Sequence, residues 1–174
     1  MGGSAPEMIQ LRSLITNPLM LPLTTFISFM SGPWSDEFGW RGYALDRITT
    51  HFGLVAGTIL LGLIWGIWHL PLFLMPDTWH GQISFGLTGF WMFMLRSVGL
   101  ALLMTWVYLN TSRSILSGLF IHFTSNFTGQ LLASVSVRVE VLETFFIFAI
   151  GLTVCLLATH TCQKTMQFDT ASTH

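Results

Sequence analysis

Charged side chains are missing from six long stretches of this chain: 13–35, 48–76, 78–95, 97–112, 114–137 and 144–163. A hydrocarbon core of ~30 Å takes about 20 helical residues to cross. The spacing therefore predicts an all-α fold, a polytopic transmembrane helix bundle with about five helical segments, roughly 14–34, 52–75, 84–108, 115–134 and 142–162. Pro18 and Pro22 are expected to kink the first segment or let it span only in part. Arg96 falls near the middle of the third. No repeat, low-complexity linker or soluble stretch interrupts the pattern, so residues 1–174 read as one membrane-embedded domain.

Composition narrows the reading. Of 174 residues, eight are acidic and seven basic, a 9% charged content, against about 25% for a soluble domain. Hydrophobic residues make up 52%, and the mean hydropathy is +0.65. Too few polar residues remain to cover a soluble surface, and too many aromatics for a disordered chain. A net charge of −1 excludes binding to nucleic acid through phosphate contacts. The expected surroundings are a lipid bilayer, in the cell's plasma membrane. With five crossings, Arg41, Arg47, Arg113 and Lys164 share one side, and Arg12 and Arg138 the other. The larger group, and with it the C-terminus, is then cytoplasmic. Cys155 and Cys162 read as packing residues.

In lipid the informative residues are the costly polar ones. Three clusters qualify: Asp36-Glu37-Phe38-Gly39-Trp40-Arg41-Gly42, Trp65-Gly66-Ile67-Trp68-His69, and His122-Phe123-Thr124-Ser125-Asn126. In the first, Glu37 and Arg41 are one helical turn apart with the acid leading, the favourable order for an ion pair. Asp36 points about 100° away. Adjacent acids repel unless a cation offsets them. Glu37 is thus expected to stay ionised beside Arg41, leaving Asp36 to exchange a proton. The competing reading is an interfacial helix start broken at Gly42.

In the second cluster, Pro71 cannot donate to the carbonyl of Ile67, so the backbone around His69 is distorted. Trp65 lies one turn before His69 on the same face and can shape a pocket around its imidazole. A core histidine bonded to a carbonyl is the alternative. In the third, His122 and Asn126 share a face inside a charge-free stretch. They can serve catalysis or simply tie helices together. Taken together, the clusters supply a general base, an acid and donors for an oxyanion in one shared cavity, the parts needed to hydrolyse an amide.

The ordered set Asp36-Glu37…Arg41, Trp65…His69 and His122…Asn126 resembles the CPBP family of intramembrane peptidases. That family includes the type II CAAX prenyl endopeptidases and bacterial proteins linked to bacteriocin self-immunity. Its usual motifs are Glu-Glu-x-x-x-Arg, Phe-x-x-x-His and His-x-x-x-Asn. The flanking runs also match, notably Gly62-Leu63-Ile64-Trp65-Gly66-Ile67-Trp68-His69-Leu70-Pro71, and the resemblance covers residues 33–130.

The resemblance implies an endopeptidase acting on a membrane-associated, CAAX-type peptide or protein. Asp36 would activate water with help from His69. Glu37 and Arg41 would support Asp36, and His122 and Asn126 would stabilise the oxyanion. The family has been described as metallopeptidase. The chain lacks a His-Glu-x-x-His helix, but a zinc site of Glu37, His69 and His122 matches a known catalytic ligand set.

Two departures stand out. Asp36 is one methylene shorter than the usual Glu, and the helices that precede the first motif in longer members are expected to be absent. These favour an alternative, a catalytically weak or inactive relative that acts as a binding or immunity protein. A haem- or metal-binding redox bundle using His69 and His122 would leave Asp36, Glu37, Arg41 and Asn126 without a role.

Overall fold

The computed structural model describes residues 9–75, 80, 87–131 and 137–171. Their regular elements are all helical. In chain order these are α1 (Ile9–Thr16), α2 (Met20–Met30), α3 (Pro33–Gly39), a π-helical turn (Trp40–Ala44), α4 (Leu45–Phe52), α5 (Leu54–Trp68), α6 (Leu70–Phe73), α7 (Leu87–Asn110), α8 (Ile115–Leu131) and α9 (Val137–Ala171). This is the expected all-α bundle. Parts of two expected segments, 84–86 and 132–134, and the side chains of Cys162 and Lys164 lie outside the described residues.

Among the described residues, three helices are long and apolar enough to cross a membrane: Leu54–Phe73, Gly89–Asn110 and Arg138–Thr159. They correspond to the second, third and fifth expected segments. The first segment is interrupted, as its prolines predict. Helix α1 stops at Thr16, and the Asn17–Leu19 turn is closed by the Met20 N–H donating to the Asn17 carbonyl at 3.0 Å. Pro18, which has no N–H to donate, is the physical reason for the break. Pro22 sits in the first turn of α2, where a missing donor is harmless. With 11 residues, α2 reaches only about 16 Å. The chain breaks again at Ser31-Gly32 before Pro33 opens α3. Helix α8, at 17 residues, spans about 26 Å, slightly less than the core thickness.

Helix α7 is the hub. It runs antiparallel to α5 and parallel to α9. A Cβ on Gly62 would lie 2.6 Å from the Val98 Cα, and one on Gly151 would lie 2.6 Å from the Gly99 carbonyl oxygen. Small residues thus let the three helices approach at backbone distance. Val98, Leu102 and Cys155 form a buried cluster between α7 and α9, with Leu54, Val55 and Ile59 of α5 packed on it. Cys155 therefore packs as a small hydrophobe. At one end of the bundle Arg113 pairs with Asp46 at 2.8 Å, which puts Arg113 beside Arg47 as the charge pattern predicts.

Candidate active site

Helix α3 starts at Pro33 and runs into the π-helical turn, where the Leu45 N–H reaches the Trp40 carbonyl. Such single π turns gather at functional sites. Glu37 and Arg41 straddle this junction and form the ion pair predicted from their spacing. Arg41 Nη1 lies 3.1 Å from Glu37 Oε1 and 2.9 Å from Oε2. Both side chains are fully buried. The guanidinium stacks over Trp65 at 5.4 Å, and its Nη2 reaches the Met104 sulfur at 3.4 Å. Burial lowers the Arg41 pKa, while Glu37 and, more weakly, Asp36 oppose that shift.

The partner that sequence spacing does not reveal is His122. Its Nδ1 lies 2.9 Å from Glu37 Oε1, joining α8 to α3. An ionised carboxylate only accepts, so Nδ1 carries the donated proton. The second nitrogen, Nε2, is left for other partners. Gly118, one turn before His122, makes the approach possible: a Cβ there would lie 3.0 Å from Glu37 Oε2. Glu37 Oε2 and Arg41 Nε are buried with no aligned hydrogen bond among the described residues. The 2.9 Å ion pair at Oε2 is therefore a charge contact more than a directed bond.

His69 caps α5. Its Nδ1 donates to the Trp65 carbonyl at 2.8 Å, a group left free because the His69 N–H turns to the Gly66 and Ile67 carbonyls at the helix end. This is the carbonyl-bonded histidine of the alternative reading, yet it also fixes the tautomer and turns Nε2 outward as an acceptor. The imidazole sits in an aromatic cage of Trp65, His80 and Phe93, with ring centroids at 5.9, 5.5 and 5.4 Å. Trp65 also meets the His122 ring edge to face at 5.0 Å. One indole thus touches both histidines and the Arg41 cation.

Asp36 and Asn126 lie at the margin of this cluster. Asp36 is half-buried, and Ser35 Oγ approaches its carboxylate at 3.5 Å. No described hydrogen bond joins it to His69 or His122. Asn126 is exposed one turn beyond His122, and its Nδ2 lies 4.0 Å from where a Gly32 Cβ would be. Its amide makes no hydrogen bond among the described residues. Arg96 pairs with Glu143 at 2.8 Å and donates to Ser125 at 3.4 Å.

Among the described residues, no three His, Cys, Asp or Glu side chains are arranged to hold a metal ion. Of the expected ligand set Glu37, His69 and His122, Glu37 Oε1 is engaged by His122 and Arg41.

Two contributors escaped the motif reading. His80 stacks on His69 without a motif spacing, and its only sequence signal is a histidine in the connection after α6. Burial, then neighbouring His69, holds its pKa down at about 4. Gly118 has no side chain and so no motif signal; it contributes by letting Glu37 approach α8.

The profile of the family described as "Type II CAAX prenyl endopeptidase Rce1-like" matches residues 18–128. The chain is also similar to a CAAX prenyl protease 2 of Methanococcus maripaludis, 29% identical over 126 residues. That alignment covers 70% of this chain and 45% of the relative, so the chain spans less than half the length of the protein it matches. The matched span contains α3, the π turn, the His69 cap and the His122 face. With three helices suited to crossing a bilayer, the chain is an integral membrane protein, and it belongs to the type II CAAX prenyl endopeptidase, Rce1-like family.

Proposed function

We propose that the chain is a membrane-embedded endopeptidase that hydrolyses a peptide bond near the C-terminus of a membrane-associated, CAAX-type substrate. The Glu37–His122 contact carries this reading. A buried carboxylate orients an imidazole on α8 toward the same indole that packs on His69.

In this mechanism Asp36 and His69 activate the attacking water. His69, its Nδ1 fixed on the Trp65 carbonyl, presents Nε2 as the proton acceptor. Water oxygen adds to the scissile carbonyl, and the abstracted proton passes to the leaving amine. His122 donates through Nε2, and Asn126 through its amide, to the oxyanion. His122 then carries protons on both nitrogens, and Glu37 compensates the charge as the carboxylate of a catalytic triad does. The protein sits in the cell membrane, with the Arg47 and Arg113 end and the C-terminus on the cytoplasmic side.

One observation favours a second reading, a non-catalytic relative that binds or sequesters a membrane partner, as an immunity protein does. Asp36 is a methylene short of Glu, and among the described residues its one hydrogen-bond neighbour is Ser35, at 3.5 Å.

The test is cleavage of a fluorescent S-farnesyl CAAX peptide by the purified chain in lipid nanodiscs. The wild type releases a C-terminal fragment, and Asp36→Ala or His69→Ala slows release by about 100-fold or more. Full activity in either variant sinks the mechanism. Folded, inactive wild-type protein that still retains the peptide supports the second reading.

A further inference from the structure

The guanidinium of Arg96 is a cation that the reaction above leaves unused. Among the described basic residues, Arg96 stands inside a candidate span rather than at its edge. Arg41 is locked onto Glu37, Arg47 folds back onto Tyr43, and Arg113 pairs with Asp46. Arg96 makes two contacts, Nη1 to Glu143 at 2.8 Å and Nη2 to Ser125 at 3.4 Å. A guanidinium has five donors in a fork that suits a carboxylate, so donors remain. The pair is also open: the Arg96 side chain is 21% exposed and Glu143 50%.

Its position relates it to the site. Ser125 lies on α8 between His122 and Asn126. Phe93, one turn before Arg96 on α7, packs against His69 at 5.4 Å. Arg96 thus links α7, whose Phe93 packs on His69, to α8, which bears His122, and to α9. Ser125 is about 4.5 Å along the α8 axis from His122. An extended peptide rises ~3.3–3.6 Å per residue. A carboxylate on Arg96 would sit about one to two extended residues from a scissile bond beside His122.

We infer that Arg96 is the anchor for the free α-carboxylate of the peptide substrate, with Glu143 occupying it until the substrate arrives. This rests on the endopeptidase reading above and specifies how the site measures its distance from a chain end. An Arg at this depth is costly without an anion. Glu143 supplies one at rest, and its exposure lets an incoming carboxylate displace it. A clamp serving only to join α7 and α9 would need no contact with α8, yet Arg96 donates to Ser125 there.

Two fluorescent S-farnesyl CAAX peptides that differ only at the C-terminus, free acid or amide, test this. Each is titrated by anisotropy into the full chain in nanodiscs, and cleavage is followed separately. The wild type binds the acid about 10- to 100-fold more tightly than the amide. Arg96→Gln reduces that preference to about twofold or less, and Arg96→Lys, which keeps the charge and guards against misfolding, retains part of it. Glu143→Gln removes the competing anion and tightens the acid peptide several-fold, whereas breaking a purely structural clamp would weaken both. Equal affinities in the wild type, a preference intact in Arg96→Gln, or no binding of either peptide overturns the anchor. Acid-selective binding without cleavage supports the anchor and sinks the hydrolase reading. Cleavage of both peptides with the same KM does the reverse.

Discussion

His122 Nδ1 lies 2.9 Å from Glu37 Oε1, although 85 residues separate them in the chain. Arg41 holds the same carboxylate from the other side, and all three side chains are buried. The trio fixes α3, the π turn and α8 against one another, and its geometry decides where the free nitrogen of His122 sits.

Glu37→Gln keeps the shape of the side chain and removes its charge, leaving Arg41 buried without an anion. Breaking such a pair costs about 3–5 kcal/mol. The double variant Glu37→Gln/Arg41→Met should lose less than the sum of its single changes, by at least ~1 kcal/mol. Denaturation of the four proteins in one detergent measures this coupling. Strict additivity would mean that the contact is energetically idle.

Gly118→Ala tests the approach of α8. The new Cβ would stand 3.0 Å from Glu37 Oε2 and 3.6 Å from Arg41 Cγ. The carboxylate cannot yield freely, because Arg41 and His122 both hold it. A displacement of about 1 Å can cost on the order of 100-fold in rate, so a fall in kcat of at least about 10-fold is expected. Peptide cleavage kinetics would detect it, and unchanged kcat would show that the carboxylate is not held this tightly.

Much of this site is legible in the sequence because its signals are local. The Glu37–Arg41 pair follows from one helical turn, and the helix end at His69 from Pro71. The common face of His122 and Asn126 is also a matter of spacing, yet burial divides them: His122 is inside and Asn126 exposed. What stayed hidden depends on tertiary placement. No periodicity tells Glu37 that its second partner lies on α8, or Arg96 that Glu143 stands opposite on α9. Absence of charge made 14–34 resemble a span, but Pro18 and the Ser31-Gly32-Pro33 break divide it into pieces too short to cross. Backbone hydrogen bonding overruled hydrophobicity there.

The pKa of His80 gives a pH prediction. Burial and His69 lower it from 6.5 to about 4 in the folded protein. The unfolded chain takes up a proton first as pH falls, so the stability linked to neutral His80 is present above 6.5 and is lost between 6.5 and 4. His80→Phe, which keeps an aromatic ring beside Phe73 and Phe93, should flatten the fall of the melting midpoint over that window. Midpoints recorded for both proteins from pH 4 to 7.5 provide the check. Parallel curves would show that His80 contributes nothing to the acid sensitivity.

Residue 36 is where the proposed mechanism is most exposed, because a short carboxylate there must activate water with His69. The decisive measurement is kcat for one S-farnesyl CAAX peptide, compared among wild type, Asp36→Glu and Asp36→Asn in nanodiscs. Restoring the missing methylene should raise kcat by about 10-fold or more, and removing the charge should lower it by about 100-fold or more. An Asp36→Asn protein that cleaves as fast as the wild type would contradict the account.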